Sequence, residues 1–246
     1  MKKVSLVIAG LMVLITATAA QAQIIPFGDT VKYWPGWNNG TADDTKDTIG
    51  SPNFTGGTAT VSGSNLTSIV VNRAAGTASW EALSPGDLFI DANSDNVWDY
   101  VVDLTSWSSA GAGNPDPAAG NYSLYAVNIP LNSVTAYILS GQDNKNGWSG
   151  YGIRDKHPVA AILNGYNPIG TVYFSGWGTS STLQYTFSLG SLVDLGANSG
   201  AFTIGWGVNC ANDVIYEKMN YVPEPASMAL LGLGLLGLVG LRRKKL

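Results

Sequence analysis

The chain has 246 residues and contains 13 Lys and Arg and 17 Asp and Glu, which gives a formal net charge of −4. Residues 23–221 hold seven of the basic and 16 of the acidic residues, so this part alone carries −9. Such an acidic surface repels phosphate backbones, which argues against nucleic acid as a partner. These 199 residues are enough for one domain with a core of its own.

The N-terminus has the pattern of a secretory signal peptide. Lys2 and Lys3 precede a mostly apolar segment, residues 4–15, and the small-x-small sequence of a cleavage site follows at residues 20–22. We therefore expect residues 1–22 to form a signal helix and the mature chain to begin at Gln23. Export follows from this reading.

Residues 23–221 have the composition of a β protein, and short β-branched or aromatic runs alternate with turn residues. In residues 183–189 every second side chain is apolar, which is typical of a strand with one buried face. With no amphipathic helix in this region, we predict an all-β antiparallel β-sandwich, jelly-roll-like or Greek key; a closed barrel is the alternative. The predicted strands are residues 58–62, 66–72, 87–91, 97–104, 122–128, 133–139, 159–163, 170–174, 182–189 and 201–208.

One loop between two predicted strands has the spacing of a cation-binding loop. Asp91, Asn93, Asp95 and Asp99 occupy positions 1, 3, 5 and 9 of an Asp-x-Asn-x-Asp pattern, which lets a tight turn bring alternate oxygens onto one hard cation. Asn stands at position 6 and Val102 at position 12, so the helical EF-hand version does not fit. Calcium is the candidate ion, and a plain hairpin turn is the alternative.

A second polar segment, residues 141–158, contains aromatic side chains beside amides and charges. Trp148, Tyr151 and Arg154 are the residue types that a sugar site uses, with rings against C–H faces and polar groups against hydroxyls. The alternative is an ordered surface loop whose aromatic residues cap the sandwich.

The sequence presents no catalytic set. His157 is the only histidine and Cys210 the only cysteine, and neither Gly-x-Ser-x-Gly nor His-Glu-x-x-His occurs. Zinc is disfavoured by so few nitrogen and sulfur ligands. Cys210 is either a small buried residue or the donor of a bridge between chains. We predict no catalytic residues.

The C-terminal segment, residues 222–246, has three parts. It opens with Pro223, Glu224 and Pro225, and a 16-residue apolar run, residues 226–241, follows without charge or proline. As a helix this run spans about 24 Å, slightly less than a ~30 Å hydrocarbon core, and we predict a single transmembrane helix. Four basic residues favour a cytoplasmic end: Arg242, Arg243, Lys244 and Lys245.

These three parts, in this order, closely resemble the PEP-CTERM sorting signal of proteins exported by Gram-negative bacteria. The resemblance implies that Pro223, Glu224 and Pro225 form the recognition motif and that the basic cluster forms the retained end. It also implies exosortase, a membrane-embedded protease or transpeptidase, as the processing partner. The implied location is the cell surface or extracellular matrix.

The sequence leaves three functions open for the body, residues 23–221. The first is a non-catalytic structural or adhesive surface protein of the matrix or a biofilm. The second is a carbohydrate-binding module for extracellular polysaccharide, assisted by calcium. The third is a secreted hydrolase with an unrecognised site.

Overall fold

The structure is a computed structural model that describes residues 22–36, 47–48, 53–76, 85–104, 119–131, 138–140, 158–178, 180–188, 193–196, 200–208 and 211–222. These residues contain strands and no helix. Both predicted terminal helices lie outside them. The strands are β1 (Ala22–Phe27), β2 (Phe54–Ser62), β3 (Asn65–Arg73), β4 (Leu88–Asp91), β5 (Val97–Asp103), β6 (Gly120–Pro130), β7 (Ile138–Ser140), β8 (Pro158–Ala161), β9 (Pro168–Ser175), β10 (Thr182–Phe187), β11 (Val193–Asp194), β12 (Ala201–Gly207) and β13 (Val214–Asn220).

The main sheet is antiparallel, and its strand order is β1-β2-β3-β10-β9-β6-β5-β4-β12-β13. Strand β11 pairs with β3 beside this path, and β7 and β8 form a separate two-stranded ribbon. The first and last strands of the order, β1 and β13, lie next to each other, so the sheet nearly closes on itself. We call the line along which β1 and β13 meet the seam.

The all-β antiparallel prediction is confirmed, whereas the described residues do not confirm a two-sheet sandwich and instead form a sheet that nearly closes into a barrel. Alternating burial occurs in both architectures, because each strand has one face toward a core in either case. What distinguishes them is the long-range pairing of β3 with β10 and of β4 with β12, which joins the strands into one continuous sheet. Such pairing leaves no local sequence pattern.

The enclosed face of the sheet holds the larger apolar core, to which all ten strands of the path contribute. Strand β10 buries Leu183, Tyr185 and Phe187 and exposes the residues between them, as the sequence predicts. Strand β12 adds Phe202, Ile204 and others from the same face. Burial of these side chains is the main source of stability.

A second, smaller core covers the opposite face of β4, β5 and β13, and we call it the outer core. Its centre is an aromatic group in which the Trp34 ring lies 5.2 Å from both Phe89 and Trp98. Gly205 of β12 lies beneath these rings, and a Cβ there would come within 2.6 Å of Trp34. Glycine is therefore required for the ring packing at this position.

A buried acid, Asp87, attaches β8 to the rest of the fold. Its carboxylate accepts hydrogen bonds from the amides of Leu104 (3.0 Å) and Ala161 (2.8 Å), and its own amide donates to the carbonyl of Val159 (2.8 Å). Asp87 is 1% exposed, so these bonds form away from solvent. They hold β8, which supplies part of the outer core, against the sheet.

Candidate functional site

The predicted cation loop connects β4 to β5, and Asp91 organises it. Asp91 is the last residue of β4 and is 1% exposed. Its carboxylate accepts hydrogen bonds from the amides of Asn93 (3.3 Å), Asp95 (3.2 Å) and Asn96 (3.0 Å). Ser94 and Asn96 take positive φ angles of 57° and 71°, which turns these amides toward the carboxylate.

The other predicted ligands also accept amides of the same turn. The Asn93 side chain accepts from the Asp95 amide (3.0 Å), and Asp95 accepts from the Val97 amide (3.0 Å). Asp99 reaches back from β5 and accepts from the Ala92 amide (2.8 Å). The side chains of the four residues that spacing singled out therefore converge on one turn, and several of their oxygens accept hydrogen bonds from backbone amides of that turn.

The electrostatics of this turn are those of neighbouring acids in a partly buried place. Burial raises the pKa of Asp91, and the amides of Asn96 and Asp95 oppose that rise. Burial also raises the pKa of Asp99, with the charges of Asp91 and Asp95 adding to the effect. A cation would relieve the repulsion, but the amide bonds alone account for the geometry of the turn. The calcium site therefore stays a prediction.

Among the described residues, the acids that lie close enough together to share one ion are a different set, which the sequence did not reveal. One carboxylate oxygen from each of Asp29, Asp47 and Asp213 lies within 4.8 Å of the others. Asp29 follows β1 and Asp213 precedes β13, so the seam brings them together across 184 residues of sequence. No local spacing signals this arrangement.

The remaining predicted site residues lie outside the described part of the chain. This holds for the sugar-site candidates Trp148, Tyr151 and Arg154, for His157 and Cys210, for the sorting motif Pro223, Glu224 and Pro225, and for the basic residues Arg242, Arg243, Lys244 and Lys245. Their proposed roles stay predictions.

The two ends of the predicted body meet at the seam. The Val222 amide donates to the side-chain oxygen of Gln23 (3.1 Å), which joins the expected first residue of the mature chain to the residue before Pro223. Val222 is 71% exposed. The C-terminal segment therefore leaves the body at its surface, beside β1. Within the part of the chain that the structure covers, no helix is long and apolar enough to cross a membrane.

A Pro-Glu-Pro motif, an apolar run and a basic cluster, in this order, are the parts of a C-terminal sorting signal of exported proteins. Residues 222–244 match the family model described as the PEP-CTERM protein-sorting motif. The chain thus carries this signal, which implies processing by exosortase and export. Comparison with curated proteins and with solved structures finds no match.

Proposed function

We propose that the protein is a structural or adhesive component of the cell surface or extracellular matrix, with a non-catalytic body, residues 23–221. The observation that supports this best is the sorting motif at residues 222–244, because this motif supports export and processing by exosortase. In this proposal the signal peptide delivers the chain to the inner membrane, the tail holds it there, and exosortase releases or transfers the body.

The geometry of the body is compatible with a role that places the chain outside the cell. The nearly closed sheet leaves two edge strands, and these face each other at the seam instead of offering free edges. An exported protein gains from such an arrangement, because exposed edge strands pair with other chains and aggregate. The sorting segment leaves from one end of this seam and does not interrupt the sheet.

The test compares cells that express the natural chain with cells in which Pro223, Glu224 and Pro225 are all replaced by alanine. We expect the natural protein at the surface or in the matrix and the variant retained in the inner membrane, as measured by fractionation and immunoblotting. Deleting the chain should weaken cohesion of the matrix under shear. Unchanged cohesion in the deletion strain would reject the structural or adhesive role while leaving the sorting assignment intact.

The second candidate is a carbohydrate-binding module that uses Trp148, Tyr151 and Arg154, assisted by calcium in the Asp91 loop. The residue types of the 141–158 segment favour it. Glycan-array binding of the mature protein tests it, with Trp148→Ala as the variant and Trp107→Ala, in a different segment, as the control. Saturable binding that Trp148→Ala alone removes would support this candidate over the adhesive one, and absence of glycan binding would reject it.

A further inference from the structure

The acidic group at the seam consists of three carboxylates from three separate parts of the chain. Asp213 is fully buried (0% exposed), and Asp29 and Asp47 are half-buried. With one oxygen of each within 4.8 Å of the others, the spacing is what three ligands of a single ion require. Proximity alone does not make a site, because acids also gather on surfaces without a ligand.

Asp29 supplies an independent sign of a missing ligand. Both of its carboxylate oxygens are fully shielded from solvent, and neither accepts a hydrogen bond from the described residues. A buried ionised carboxylate without a donor or a counter-charge is strongly unfavourable. The neighbouring acids Asp213, Asp47 and Glu217 add further negative charge around the Asp29 carboxylate.

Asp213, in the same group, differs from Asp29 because its carboxylate oxygens accept hydrogen bonds. Its carboxylate accepts the amides of Phe54 (2.6 Å) and Val214 (3.0 Å) and the hydroxyl of Thr48 (3.2 Å). These bonds fix Asp213 in position and connect it to β2 and β13. Asp29 lies close to this fixed carboxylate, and its own oxygens accept no hydrogen bond from the described residues. The group is therefore held in place by the fold, but within the described part of the chain no positive charge balances the Asp29 carboxylate.

We propose that Asp29, Asp47 and Asp213 bind one hard divalent cation, Ca²⁺, at the seam. The ligand atoms are carboxylate oxygens, which hard cations prefer, and the group offers no nitrogen or sulfur that would favour zinc. Ca²⁺ accepts irregular oxygen geometry, whereas Mg²⁺ demands a near-ideal octahedron. The site rests on the geometry of the body and is independent of the adhesive or carbohydrate-binding roles.

The position of the site gives the cation a structural consequence. It joins the end of β1 to the start of β13, the two edges of the sheet. Weaker contacts already bridge this seam, among them the Thr30 hydroxyl donating to Glu217 (2.9 Å) and the Trp34 indole donating to the carbonyl of Ile215 (3.1 Å). The cation therefore fastens the closure of the sheet at the end of the seam opposite to the point where the sorting segment leaves.

Calorimetry on the mature protein purified from the cell surface tests the proposal. The Asp95→Ala background removes any contribution from the Asp91 loop. In that background we expect about one Ca²⁺ bound per chain and a melting temperature that is higher in calcium than in chelator. Asp29→Asn should abolish both effects, and it is the sharpest variant because Asp29 accepts no hydrogen bond that the change would remove.

The control is Asp194→Asn, which alters an exposed acid outside the group of Asp29, Asp47 and Asp213 and should leave calcium binding unchanged. In chelator at neutral pH, Asp29→Asn should melt at a higher temperature than its parent, because it removes an acid that the folded chain must either bury with its charge or hold protonated. If Asp29 only stabilised the fold through its own contacts, Asp29→Asn would instead lower the melting temperature in chelator.

Two results would overturn the proposal. The first is a calcium-dependent rise in melting temperature that Asp29→Asn leaves at its full size. The second is the same melting temperature in millimolar calcium and in chelator, with stability that responds to pH alone; the carboxyls of Asp29 and Asp213 would then share a proton in place of a cation. A response to Mg²⁺ that equals or exceeds the response to Ca²⁺ would reject the choice of ion.

Discussion

Replacing Asp87 by alanine should strongly destabilise the protein. The carboxylate satisfies two buried amides, those of Leu104 and Ala161, and Asp87→Ala leaves both without an acceptor. A buried donor without a partner costs about 1–3 kcal/mol, so the two together cost about 2–6 kcal/mol. At about 2–4 °C per kcal/mol for a body of this size, a cost of about 4 kcal/mol lowers the melting temperature by roughly 8–16 °C.

Thermal unfolding followed by circular dichroism measures this loss, and hydrogen exchange locates it. The amides of Leu104 and Ala161 should exchange faster in Asp87→Ala, because β8 loses its attachment to the sheet. Asp194→Ala is the control, since Asp194 is exposed and accepts one exposed amide. A melting temperature for Asp87→Ala within 2 °C of the control, with unchanged protection of Ala161, would refute the reasoning.

Three further predictions concern the outer core, the seam and the loop. Gly205→Ala should cost about 1–3 kcal/mol in chemical denaturation, since the rings above it leave no room for a Cβ; an unchanged midpoint would contradict the packing. In chelator, the stability of the natural chain should fall between pH 4 and 9 more steeply than that of Asp29→Asn. Burial raises the pKa of Asp29 to about 9 and that of Asp213 to about 7, so the folded chain retains protons that the unfolded chain has released. Equal slopes of stability against pH would contradict this prediction. If the Asp91 loop binds calcium, a calcium concentration of ten times the Kd of the loop adds about 1.4 kcal/mol to the free energy of unfolding. Calorimetry should find this increment lost in Asp95→Ala and kept in Asp116→Ala.

The strands with clean alternation were predictable from the sequence, because each needs only one buried and one wet face. The segment at residues 183–189 predicted β10, and the run at residues 66–72 predicted β3 to within a residue at each end. The C-terminal sorting signal was equally predictable, since its three parts are contiguous and need no tertiary structure for recognition.

The edge strands were missed, and their sequences explain why. Strand β1 adjoins the predicted signal peptide and contains Pro26, and β13 carries Glu217 and Lys218 in its middle. Edge strands tolerate Pro and charged residues, because one side of such a strand forms no ladder of hydrogen bonds with a neighbouring strand. The same features lower the strand signal in the sequence.

The acids that the fold uses most were missed for a different reason. Asp87 and Asp213 satisfy amides far away in the chain, and Asp29 and Asp47 meet Asp213 only across the seam. Spacing arguments detect ligands that share one loop, and for that reason they drew attention to Asp91. Partners that long-range pairing assembles leave no such pattern.

The measurement that tests the account most directly is the intact mass of the protein released from the surface of cells with active exosortase. The account predicts a chain that begins near Gln23 and ends near Pro223, Glu224 and Pro225, and a longer chain, retaining residues 226–246, in cells without exosortase. Recovery of a surface chain that still carries residues 231–246 from cells with active exosortase would contradict it.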